Sequence, residues 1–389
     1  MIGAGIVGLT TAYYLAKDGH TVSVVDKAPS VATGASAANG FQLSYAYLAP
    51  PFTFADVIKQ GQHLLFGTDP QRAVSHIHRK SLWQNAGWFL AALWQVLPPN
   101  YRRNHKEILA LGQQSHFLLK AFLAEEGKAF QFDYSEQGKL VVFSCPRLLN
   151  KHLKMAQFIS EQTGYRFEKR APDECFAYAP FLKTMTHPPI VGGVYSPDDF
   201  AGNCPQFCQQ LETFLHTTYG VKFIFGQDIT DLNALQADSV IVCAGAESKK
   251  LLKTVGVDVP LYPVKGYSYT FKKCGVQKAY VTHKTKGMVI SDMGTTTRIS
   301  GFADFTGFDT TADATRMAAL LRQVEGFFPK EQLHVLAKNM GARPLTPHGL
   351  PVVKKACANI YLNIGHGMFG WTLAHATAFR LAKLLTPDT

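Results

Sequence analysis

No run of apolar residues in this 389-residue chain reaches the ~20 that a membrane-spanning helix needs. No secretory leader is expected ahead of the first glycine motif. Pairs of the C-x-x-C type are absent. The seven cysteines, at 145, 175, 204, 208, 243, 274 and 357, are scattered and odd in number. Cys204 and Cys208 could share a helix face, but no second pair completes a ligand set, so no metal is expected. Reduced thiols in a cytosolic compartment are the expectation. No Ser-His-Asp or Cys-His pattern is evident, and there is no internal repeat and no disordered linker. Acidic residues are in short supply: 28 Asp and Glu face 39 Lys and Arg, a formal net charge of +11. Such a balance suits an anionic membrane surface, acidic ligands or nucleic acid. No basic low-complexity run or nucleic-acid motif occurs, so nucleic acid is not expected as a partner.

What is present begins at once. The first eight residues contain Gly3, Gly5 and Gly8 in the G-x-G-x-x-G spacing, with Ile6 and Val7 between. The first glycine permits a tight turn, the second lets a pyrophosphate approach the backbone, and the third lets a helix pack closely on a sheet. Apolar residues from Ile6 to Lys17 repeat at helical spacing and stop at Gly19. A strand from Thr21 follows and ends in Asp26, placed to take ribose hydroxyls, with Lys27 beside it. A lone glycine fingerprint is weak, but helix, strand and acid in this order predict a dinucleotide site. Only Met1 and Ile2 stand where the preceding strand should be. The expectation is a natural chain beginning several residues upstream with an apolar β-branched run, or a truncated, poorly active product.

Further along, helical pattern covers 55–66, 81–127 with a break at Pro98-Pro99, 148–163, 204–217 and 312–327. Strands are predicted over 139–143, 190–195, 221–225, 239–243, 267–271, 286–290, 297–301 and 360–364, with a helix from Gly370 to Leu385. Dinucleotide-type elements lie at the start, at 204–246 and at 339–385. The predicted fold is therefore α/β: a discontinuous Rossmann-like domain (1–48, 198–252 and 338–389) with an α+β antiparallel-sheet domain (49–197 and 253–337). The stretch Ala86 to Leu97, followed by Arg102-Arg103, leaves two readings open: a helix lying on a membrane, or a buried helix of the second domain.

Several motifs together resemble the small, flavin-bearing subunit of bacterial D-amino-acid dehydrogenases, in the D-amino-acid oxidase and glycine oxidase superfamily. They are Ser36 to Tyr45, Asn100 to Asn104, Tyr195 to Asp199, Leu261 to Ser268, Ala342 to Pro347, and Tyr361 to Thr372. Three positions depart from the family: Phe41 where Gly is common, and Asn203 and His348 where Asp is common. Phe41 is expected to add bulk beside the flavin loop.

The resemblance implies FAD. It assigns the pyrophosphate to Gly3, Gly5 and Gly8, the ribose to Asp26, and the isoalloxazine to the loop with Gly34, Ser36, Asn39, Gly40 and Gln42. From the residues alone, ordinary turn chemistry explains Ser36 and Asn39. Ile229 falls where the family's backbone meets adenine, and Ala244 and Gly245 near the phosphates. His366, Gly367, Phe369, Gly370, Trp371 and Thr372 open the last helix, whose positive end would face the flavin's pyrimidine edge. Arg343 is assigned the substrate carboxylate, because a guanidinium grips it bidentately. Tyr267, Tyr45 and Lys265 are secondary pocket candidates.

The implied reaction is oxidative deamination. The α-hydrogen leaves as hydride, and the imine hydrolyses to a 2-oxo acid and ammonia. Electrons pass to a quinone or other acceptor, and the protein is peripheral on the inner face of the cytoplasmic membrane. The alternatives are a soluble amine, glycine or sarcosine oxidase of the same superfamily, and a non-catalytic truncated flavoprotein.

Overall fold

A computed structural model describes residues 1–66, 69, 73–184, 189–275, 277–309 and 311–385. Its first helix, Ile6–Lys17, is buried along most of its length, and Lys17 stands in the last turn, where a cation suits the helix dipole. The predicted and observed bounds coincide because the apolar period is strong and Gly19 stops it.

Ile2 bridges two parallel strands, Ser23–Asp26 and Val240–Val242. Its N–H donates to Ile241 O and its carbonyl accepts from Cys243 N. On the other side Gly3 N donates to Val25 O, and Val25 N to Met1 O. The short stub thus pairs on both edges. Lys222–Phe225 extends the sheet beyond Ser23–Asp26 in parallel. Ile360–Ile364 lies parallel to Val240–Val242, and Val352–Cys357 closes that edge antiparallel. The first helix packs between Cys204–Tyr219 and Gly370–Leu385, which in turn meets the long helix Pro98–Glu125. Their shared core holds Leu9, Tyr13, Phe122, Phe207 and Trp371.

Among the described residues the second sheet has nine strands. Its path runs Val335–Leu345, Tyr262–Lys272, Thr296–Phe305, Met288–Met293, Tyr280–His283, Lys139–Phe143, Gly192–Ser196 and Glu168–Arg170, with Ser75–Ile77 beside Thr296–Phe305. Pairing is antiparallel except at two places, where Tyr280–His283 meets Lys139–Phe143 and where Ser75–Ile77 joins. The helix Ala314–Val324 covers one face, packing Met317, Leu320 and Val324 with Tyr267, Tyr269 and Ile299. Val335–Leu345 belongs to this sheet throughout, so a boundary at 338 falls inside a strand.

Candidate functional site

A cleft of about 2510 Å³ runs between the two sheets. That exceeds the about 300–1,000 Å³ of an ordinary small-molecule pocket, so there is room for a dinucleotide and a substrate together.

The glycine loop forms one end. A Cβ on Gly8 would stand 1.9 Å from Gly3 O, and one on Gly3, whose φ is 107°, would stand 2.5 Å from Cys243 O. These two glycines are what lets the loop, the helix and the neighbouring strand meet. Gly5, Ile6 and Val7 line the cleft, while Gly8 packs behind it. Asp26 accepts from Ala4 N at 2.7 Å and from Ala28 N at 2.9 Å, bracing the loop from the cleft wall. Lys27 and Glu247 pair at the rim.

Ile229, Ala244 and Gly245 lie on the same wall. So do Gly34, Ser36, Asn39, Gly40 and Gln42. Ser36 Oγ accepts from Ile6 N at 3.1 Å, so it caps the first helix across 30 residues. Asn39 Oδ1 accepts from Phe41 N at 2.9 Å, which is turn chemistry. Gln42 donates to Val281 O and accepts from Thr282 Oγ1, both at 3.3 Å.

His366, Gly367, Phe369, Gly370, Trp371 and Thr372 form the floor. The His366 ring bonds Thr377 Oγ1 at 2.9 Å, and burial pushes its pKa down to about 3. A neutral, bonded imidazole holds the loop shape. Trp371 packs on Phe207 and Phe132. Its indole N–H has no partner among the described residues, and the same is true of Oδ1 of Asn363, which also lines the cleft. Thr372 Oγ1 accepts from Ser44 N at 3.3 Å.

Arg343 reaches the cleft from the edge strand. Its Nη1 donates to Phe302 O at 2.8 Å. The guanidinium lies over Gly266, where a Cβ would stand 2.1 Å from Nη2. Burial lowers its pKa, and Asp304 opposes that; a guanidinium stays charged regardless.

Three other residues point elsewhere, against the expectation that they line the pocket. Tyr267 is buried behind the sheet, because it follows Gly266 and alternation turns it to the opposite face. Tyr45 stacks on His116 at 4.6 Å within the helical core, and burial raises its pKa well above the usual range. Lys265 donates to Asp309 at 3.0 Å and to Thr311 O at 2.8 Å, away from the cleft lining.

Phe41 also departs from expectation. Its ring packs with Ala201, Tyr280 and Met293 under the Arg298 guanidinium rather than into the cleft. Asn203 caps Cys204–Tyr219 by accepting from Gln206 N, a role Asp would also fill. His348 Nδ1 likewise accepts from Leu350 N. Among the cleft residues that escape the sequence reading are Tyr47, Lys139 and Lys284. The tyrosine stands two places after Tyr45, which faces the core instead.

Among the described residues no group of three or more His, Cys, Asp or Glu could hold a metal, all seven cysteines are free, and no helix is long and apolar enough to cross a membrane.

The family described as FAD dependent oxidoreductase matches residues 1–384. The D-amino acid dehydrogenase of Vibrio cholerae serotype O1 is 34% identical over 410 aligned residues, covering 99% of this chain and 94% of that protein. That of Vibrio vulnificus is 31% identical over 407, covering 100% and 95%. Among solved structures, glycine oxidase from Geobacillus kaustophilus superposes with a TM-score of 0.74 at 20% identity, covering 100% of this chain and 94% of that one, a likeness of fold. The chain therefore belongs to the FAD dependent oxidoreductase family.

Proposed function

We propose that this protein is an FAD-dependent D-amino acid dehydrogenase, oxidising D-amino acids to 2-oxo acids and ammonia. One observation carries the reading: the same cleft holds a glycine cradle for a dinucleotide at one end and an anchored guanidinium at the other. The cradle suits FAD. Gly5, Gly34 and Gly245 turn backbone toward the cleft, and Trp371 and Asn363 offer a buried donor and acceptor without partners among the described residues. FAD, when bound, supplies the two-electron acceptor for the substrate.

The chain's own residues do the positioning. Arg343 uses Nη1 to hold Phe302 O, leaving other N–H groups of its fork for the substrate carboxylate. Orientation of this kind accounts for much of a barrier's reduction. The substrate ammonium loses its proton to water, so no side-chain base is required. In this reading 1–48, 198–252 and the chain after Leu345 hold the cofactor, while 49–197 and 253–345 build the substrate side.

The test is anaerobic addition of D-alanine and of L-alanine to the flavin-loaded protein. Bleaching by the D-isomer alone is expected, and no bleaching by D-alanine or by any other D-amino acid would refute the reading. A further part concerns the acceptor. Trp83 and Trp94 are 80% and 64% exposed, and Leu90 and Leu93, on the helix of Trp94, are exposed as well. An apolar patch of this kind fits a membrane surface, so we infer peripheral attachment on the cytoplasmic face and a quinone acceptor. Stoichiometric peroxide in air would favour the oxidase alternative instead.

A further inference from the structure

Two lysines on the substrate side of the cleft have no role in the reading above. Lys139, on Lys139–Phe143, is 3% exposed, yet it lines the cleft. Its Nζ donates to Ser44 Oγ at 2.9 Å and stands 3.9 Å from the centre of the Tyr47 ring. Lys284, just past Tyr280–His283, donates to the Tyr47 hydroxyl at 2.8 Å and lies 5.2 Å from the same ring. Its exposure is to the cleft, with protein around it.

Two ammonium groups therefore flank one aromatic ring. Among the described residues no carboxylate lies within 4.0 Å of either. The nearby acids are committed. Asp199 is buried and accepts from Ala46 N at 2.7 Å. Asp56 accepts from Thr53 N and Oγ1 at 2.9 and 2.6 Å. Arg147, Lys151 and Lys154 add positive charge along the same wall. Burial lowers the Lys139 pKa, Asp199 opposes this, and Lys284 lowers it further. Asp199 offsets part of this charge from a distance, but a buried ammonium with no carboxylate in contact remains costly. Three donors with one bond made among the described residues leave capacity for an anion.

We propose that Lys139 and Lys284 form a second anion subsite, which takes the side-chain carboxylate of an acidic D-amino acid such as D-glutamate or D-aspartate. This rests on the reading of the protein as a D-amino acid dehydrogenase with Arg343 on the α-carboxylate. Arg343 takes one carboxylate and the lysine pair the other, so the substrate is a dianion held at both ends. A fixed positive pair in a partly desolvated cleft discriminates against uncharged side chains more than it adds raw affinity.

The test uses the flavin-loaded protein and Lys284→Met, a change at a cleft-exposed position that spares the buried Lys139. Anaerobic flavin reduction gives kcat/KM for D-glutamate and D-alanine, and calorimetry gives the affinities of glutarate and butyrate, which cannot be deaminated. The ratio of D-glutamate to D-alanine kcat/KM is expected to fall at least tenfold in the variant. Glutarate should weaken at least tenfold and butyrate far less. An unchanged ratio with unchanged glutarate affinity overturns the subsite. A parallel fall for both substrates with a shifted flavin potential also overturns it, by assigning the lysines to the cofactor. If no D-amino acid bleaches the flavin while glutarate binding still depends on Lys284, the dehydrogenase reading fails and the anion subsite survives alone.

Discussion

The guanidinium of Arg343 is held by one carbonyl and by an absence, the missing side chain of Gly266. A methyl group there would meet Nη2 at 2.1 Å and Cζ at 2.3 Å. The atoms in the way are the end of a flexible side chain, so the arginine yields and the sheet does not. Gly266→Ala is therefore expected to fold, to retain flavin, and to raise the KM for D-alanine about tenfold or more by displacing the fork. Unchanged KM would show that Arg343 does not hold the carboxylate. Arg343→Lys tests the same point from the other side. An ammonium cannot bond Phe302 O and a carboxylate in one plane, so KM should rise strongly with flavin occupancy unchanged. Arg343 is legible in the sequence because its motif surrounds it. Tyr267 cannot be placed by motif alone, since a residue's face depends on strand alternation. The neighbouring glycine is the usable signal: if Gly266 faces the site, Tyr267 does not.

At the scale of elements, the sequence speaks clearly where burial is periodic. Ile6–Lys17 and Gly370–Leu385 have the ends that the pattern predicts. The strands Val335–Leu345 and Val352–Cys357 escape that reading. Both lie at sheet edges and carry exposed polar or basic residues, among them Lys338, Lys354 and Lys355, which hide the alternation. The last helix also makes a pH prediction. His375 is buried against Tyr14, with its Nε2 unpartnered among the described residues, and its pKa is pushed down to about 3, as is that of His366. Both are neutral when folded, whereas an unfolded histidine titrates near ~6.5. Between those values the unfolded chain binds more protons, so stability is full above about 6.5 and falls as pH drops toward 3. The melting temperature should decline between about pH 6.5 and 4.5, and His375→Phe should flatten that decline. A variant with the same slope as the parent would remove His375 from the account.

The molecule as a whole carries a net charge of +11 and an exposed apolar ridge. The ridge is anchored from below. Trp88 and Ala92 on Ala86–Gln95 pack with Tyr262 and Phe305, which turns Leu90, Leu93 and Trp94 outward. The buried-helix reading of this stretch therefore describes its inner face, while the outer face is exposed. Trp83 precedes the ridge, and exposed Arg102, Arg103 and Lys106 follow on the next helix. Burying a large apolar side chain is worth about 1.5–3 kcal/mol, so two tryptophans inserted at a lipid interface could outweigh the charge term. The two contributions separate by salt, because screening at ~1 M shrinks the Debye length to about 3 Å. On vesicles containing anionic lipid, the parent protein should float at low salt and partly remain bound at about 1 M salt. Trp83→Ser with Trp94→Ser should float at low salt only. Vesicles of neutral lipid should retain the parent weakly and the double variant not at all. If the double variant binds as the parent does at high salt, the ridge is not the docking face, and the attachment expected from charge and sequence must be sought elsewhere on the surface.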